Sequence, residues 1–154
     1  MGTALVVHLL EELPKEQETE TDETTNTLTD QTTREDVIIT KTGALLRKYC
    51  EEAQLYLQHD LSLKTVAQEC KTNRTYLGRY FASQGLTYYT YINKLRINHF
   101  QSLYREALKR KKYPPLRQLS TDSGYVSYNT FSRAFLACTG ISVSHWLEQV
   151  KLEE

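Results

Sequence analysis

Two stretches of the chain place hydrogen-bonding side chains in similar order about 54 residues apart. The first holds Asn73, Arg74, Thr75 and Arg79; the second holds Ser127, Tyr128, Asn129, Ser132 and Arg133. Inside each stretch large apolar residues stand four apart, Leu77 with Phe81 and Phe131 with Phe135. That spacing is about one turn of an α-helix, so each pair shares a face that can turn inward. Arg79 and Arg133 fall two places along, on another face. An outward stripe of Arg, Asn and hydroxyl groups suits the edges of base pairs. Arg offers a two-pronged donor to guanine O6 and N7, Asn pairs with adenine N6 and N7, and hydroxyls reach bases or phosphates. These nine residues are the candidate base-reading set. Gly78 lies among them without a side chain, permitting close approach while reading little.

The elements that must carry these residues repeat as well. Leu63-x-x-Val66-Ala67 matches Leu116-x-x-Leu119-Ser120. Gly85-Leu86-Thr87, followed by Tyr91-Ile92, matches Gly140-Ile141-Ser142, followed by Trp146-Leu147. Two copies of one helical unit are expected, each a short helix, a tight turn and a second helix. The units span about 61–85 and 115–140, and a linker helix over about 88–108 joins them. Asp60 or Ser62 can cap the first short helix, and Pro115 can begin the helix that follows it. Gly85 fits a left-handed helix end, and Gly124 fits a turn needing positive φ. Leu45, Leu46, Tyr49, Cys50, Ala53, Tyr56 and Leu57 mark an earlier amphipathic helix from about Thr42. No alternating strand pattern follows residue 41. The fold class is all-α: two helix-turn-helix subdomains joined by a linker helix, in a domain over 41–154.

Charge divides the chain. Residues 11–36 hold ten acids and two bases, a balance of −8, within a net charge of zero over 154 residues. The body around that segment therefore carries +8. Eight threonines lie between Thr19 and Thr33, and the segment has no aromatic residue. Such a composition offers little burial to offset chain entropy, so residues 1–40 are expected to be a disordered acidic arm with a short apolar start. A functional alternative is that the arm competes with nucleic acid for the basic body. Lys109-Arg110-Lys111-Lys112, with Arg117 nearby, is the candidate phosphate grip, and Arg96 either joins it from the linker helix or serves packing around that helix.

Other chemistries lack their residues. No apolar run approaches the ~20 residues that span a bilayer. Cys50, Cys70 and Cys138 form neither a disulfide frame nor a C-x-x-C knuckle, and read as buried, inert thiols in a reducing compartment. His8, His59, His99 and His145 make no ligand cluster, so no metal or cofactor is expected. No glycine-rich phosphate loop and no G-x-S-x-G elbow is present, so the chain reads as a non-enzyme.

Residues of about 43–147 resemble the DNA-binding domain of AraC/XylS-type transcription regulators. The resemblance rests on Tyr76-Leu77-Gly78-Arg79-Tyr80-Phe81, Tyr91-Ile92-Asn93-Lys94-Leu95-Arg96-Ile97 and Gly124-Tyr125-x5-Phe131-Ser132-Arg133-Ala134-Phe135, then Gly140-Ile141-Ser142. It departs from the family pattern at Ser120, a usual Ala, at Val143, a usual Pro, and at Leu147, where Arg is common. The resemblance implies sequence-specific binding of double-stranded DNA by two recognition helices in successive major-groove segments, with centres ~34 Å apart. It implies a cytoplasmic, nucleoid-associated regulator that recruits RNA polymerase as an activator, with repression by occlusion as the open alternative. The family's usual sensing or dimerisation domain has no counterpart here, so the expectation is either a minimal regulator or the tail of a longer protein with a sensor or membrane segment N-terminal to this chain. Two rival readings are a protein-interaction module that kept the fold without DNA readout, and a nonspecific nucleic-acid binder.

Overall fold

The chain is described by a computed structural model covering residues 24–153. Every regular element among the described residues is helical. Helix α1 is Thr24–Leu46, followed by a π-helical stretch, Arg47–Glu52, and a 3-10 turn, Leu55–Leu57. Then come α2 (Leu63–Glu69), α3 (Arg74–Ser83), α4 (Tyr88–Lys109), α5 (Leu116–Asp122), α6 (Tyr128–Thr139) and α7 (Val143–Glu153). No helix among the described residues is long and apolar enough to cross a membrane.

The chain forms two compact units. In the first, α1 packs along α3, and α2 packs on α3. Its buried side chains include Ile38, Leu45, Leu46 and Cys50 from the first helical run, and Val66, Cys70, Leu77 and Phe81 from the helix-turn-helix. Ser62, of the two expected caps, supplies the α2 N-cap: its Oγ accepts from the Thr65 amide at 3.1 Å. Burial pushes the Cys70 thiol up to about 12, helped by Cys50 and Glu69 nearby, so it stays protonated at neutral pH.

Helix α1 corrects the expectation of a disordered arm reaching residue 40. Residues 24–40 are helical, and the part of the expected arm before them lies outside the described residues. Threonine is a modest helix former, but here hydroxyls close onto the helix itself. Thr32 and Thr33 donate to the Leu28 and Thr29 carbonyls, each at 2.9 Å. Packing supplies what propensity does not. Ile38 is buried, and Gly43 lies so close to the Tyr80 ring that a Cβ there would stand 2.8 Å from it.

The second unit comprises Gln54–Leu61 and the chain from Thr87 onward. Helix α4 begins at a Thr87 cap, whose Oγ1 accepts from the Thr90 amide at 3.1 Å. Phe100, Phe131, Phe135 and Trp146 form the centre of its core, with ring centroids 4.5–6.1 Å apart. Tyr104, Leu119, Tyr125 and Val150 close around them. Pro115 precedes the first residue of α5, one position earlier than expected.

Candidate nucleic-acid interface

The two helix-turn-helix turns are built alike. In the first, Lys71 takes φ +59°, donating from its amide to Gln68 O, while Thr72 N donates to Ala67 O. In the second, Gly124 takes φ +103°, donating to Thr121 O, while Tyr125 N donates to Ser120 O. A left-handed residue thus ends the first helix of each unit and redirects the chain into the second. At Gly124 crowding adds to backbone preference, since a Cβ would lie 2.7 Å from Arg96 Nε and 2.8 Å from the Tyr56 carbonyl oxygen.

Helix α6 drives Phe131, Ala134 and Phe135 into the second core and ends on Gly140 at φ +79°. Asn129 and Arg133 are exposed on the face turned away from that core, with Ser132 half-buried beside them. Two members of the expected stripe have other tasks. Ser127 is the N-cap, and its Oγ accepts from the Thr130 amide at 3.4 Å. Tyr128 does not project outward: it is half-buried, its ring 5.4 Å from that of Phe131. The Arg117 guanidinium covers the Tyr128 ring at 5.5 Å.

Helix α3 has the same plan with a different flank. Asn73 caps it, Oδ1 accepting from the Tyr76 amide at 2.9 Å, and Leu77 and Phe81 point inward. Arg74, Thr75, Gly78 and Arg79 are exposed. A Cβ on Gly78 would meet nothing within 4 Å, which marks open surface. Arg79 crosses the Tyr76 ring at 5.9 Å, and its Nη1 lies 3.5 Å from Glu35 Oε2 on α1. This acid beside an expected base-reading arginine had no signal in the sequence, where Glu35 belonged to the arm.

Among the expected phosphate contacts, Arg96 takes the packing role around the linker helix that was its alternative. Its Nε donates to Tyr56 O and its Nη2 to Gln58 O, both at 2.7 Å, and its guanidinium lies over the Tyr125 ring. It fastens Gln54–Leu61 to the linker helix, and His59 ties the same segment to α5, its Nε2 lying 3.0 Å from Thr121 O. Tyr125 donates to Asn93 Oδ1 at 2.8 Å; burial pushes its phenol up, with Arg96 opposing. Lys109, Lys111 and Lys112 are exposed where α4 ends, with Lys111 at φ +54°. Arg110 pairs with Glu106 at 3.1 Å on the exposed surface.

Two exposed side chains at the second unit escaped the sequence reading. Val126, in the turn before α6, is 78% exposed, and Leu136, on α6, is 53% exposed. Leu136 carried a usable signal, since it lies seven residues after Asn129 and three after Arg133. No group of His, Cys, Asp and Glu side chains suited to a metal occurs among the described residues.

Residues 66–149 match the family model described as a helix-turn-helix domain. The C-terminal domain of AraT, a response regulator from Geobacillus stearothermophilus, is similar in fold, with a TM-score of 0.55 and 22% identity. The likeness covers 73% of this chain and 84% of that one. No curated protein matches the chain.

Proposed function

Because the chain belongs to the AraC-type helix-turn-helix family, a family of DNA-binding transcription regulators, we propose that it binds double-stranded DNA sequence-specifically through α3 and α6. The observation that carries this reading is the face of α6 opposite Phe131 and Phe135, where Asn129 and Arg133 stand one turn apart in solvent. Both types pair with base edges in the major groove, Asn with adenine and Arg with guanine. Arg74, Thr75 and Arg79 do the corresponding work on α3. Lys109, Lys111, Lys112 and Arg117 hold phosphate, which sets register and affinity without reading sequence. Activation through contact with RNA polymerase is the mode the family resemblance implies.

The Glu35–Arg79 pair favours a second reading of the first unit, in which α3 is an interaction surface and α6 alone reads DNA. Arg133→Ala tests the reading at its centre. The full chain carrying it should lose ~1–3 kcal/mol on a selected duplex and much less on a random duplex at matched salt. Equal losses on both duplexes would move Arg133 to the phosphate contacts and leave α6 without its main reader.

A further inference from the structure

Among the described residues of α6, Leu136 is the large hydrophobic side chain left exposed, at 53%. Its position within the helix gives that exposure a direction. It lies two turns beyond Asn129, four residues after Ser132 and three after Arg133, on the same outward stripe. With a rise of ~1.5 Å per residue, the stripe from Asn129 to Leu136 covers roughly 10 Å. That is about three base-pair steps of a duplex at ~3.4 Å each.

The neighbours decide what can cover this leucine. An apolar protein face laid over it would strip water from Asn129, Ser132 and Arg133 and leave them unpaired, which is costly. The floor of the major groove satisfies both kinds of group. It offers acceptors and donors to the polar residues, and the C5-methyl of thymine is its apolar feature. Apolar surface leaving water against that methyl is favourable without any directional bond. The corresponding position of α3, by the same offset of 54, is Ala82, which is exposed but short.

We infer that Leu136 is a specificity-determining residue that receives a thymine methyl next to the bases read by Asn129 and Arg133. This rests on the proposed DNA-reading role of α6 and deepens it, naming one base of the site by its chemistry.

The test replaces single thymines of a duplex selected by the full chain with deoxyuridine, which removes only the methyl. Each duplex is titrated with the unmodified chain, Leu136→Ala and Val126→Ala, with folding checked by circular dichroism. One uridine should weaken the unmodified chain about three- to fourfold, the worth of one buried methyl group. Leu136→Ala should bind that duplex and its thymine parent equally, while Val126→Ala should keep the difference. The inference is overturned if no uridine weakens the unmodified chain, or if the loss persists in full in Leu136→Ala. A loss abolished by Val126→Ala instead would transfer the contact to the turn. Failure of the underlying reading has a separate signature: the unmodified chain binds selected and random duplexes alike, and both proposals fall.

Discussion

Arg96 and Arg133 are both arginines on helices of the second unit, and their surroundings give them opposite work. Arg96 spends two donors on the backbone carbonyls of Tyr56 and Gln58, while Arg133 stands exposed on α6. Truncating Arg96 leaves those carbonyls without a charged donor, and hydrogen bonds to charged groups contribute about 1.5–3 kcal/mol each. The bond to Gln58 is exposed and competes with water, so Arg96→Ala should lower stability to denaturant by about 2 kcal/mol, chiefly through the part-buried bond to Tyr56. The salt dependence of DNA binding should stay unchanged, and a slope reduced by one unit at unaltered stability would return Arg96 to the phosphate contacts. His99 gives a second residue-level expectation. Burial lowers its pKa below 6.5, opposed by Asp122, while its Nδ1 lies 3.5 Å from the Tyr56 hydroxyl. The unfolded chain then binds more protons than the folded one between the lowered value and 6.5, so stability falls as pH drops through that window. Melting curves at pH 7.5 and 5 should show a smaller acid penalty for His99→Gln than for the unmodified chain. Equal penalties would remove His99 as a source of acid sensitivity.

Helix α1 shows where an element escapes local reading. The helix-turn-helix pairs were legible because Leu77 with Phe81 and Phe131 with Phe135 carry their own periodicity, and because the left-handed turn at Gly124 needs glycine. Tyr128 and Arg96 were not, because one ring's direction depends on Phe131 and Arg117, and one guanidinium's on carbonyls about forty residues away in sequence. In α1 the threonines and acids argue against order, and the counter-argument is tertiary: Ile38 is buried and Gly43 meets Tyr80. The packing has an electrostatic result, since it brings Glu35 to Arg79. Both side chains are more than 40% exposed, so the pair adds little to stability, but it offers Arg79 an alternative to an anion or base. Glu35→Gln should tighten specific DNA binding at low salt by up to about fivefold, an exposed pair being worth ~0.2–1 kcal/mol, with the gain fading as salt screens the carboxylate. Unchanged affinity at low salt would mean that Glu35 and DNA do not compete. Deleting residues 1–40 is the wrong test of that competition, because it would also remove Ile38 from the core.

Across the whole molecule the net charge is zero, while the acids of residues 11–36 and the cations elsewhere are kept apart along the chain. A neutral total provides little long-range attraction to DNA, so the proposed binding rests on local clusters such as Lys109–Lys112 and on base contacts. The covalent plan of two helix-turn-helix units makes a bipartite target the direct consequence if both α3 and α6 read bases. The most direct measurement is selection of duplexes from a random library with the full chain, followed by titration of the winners at several salt concentrations. Base reading by both α3 and α6 predicts an enriched motif of two blocks with centres ~34 Å apart, and specific binding that stays ~10³-fold or more tighter than binding to random duplex at physiological salt. A single enriched block would assign base reading to one helix. No enrichment from the folded chain, with equal affinity for every duplex, would contradict the account.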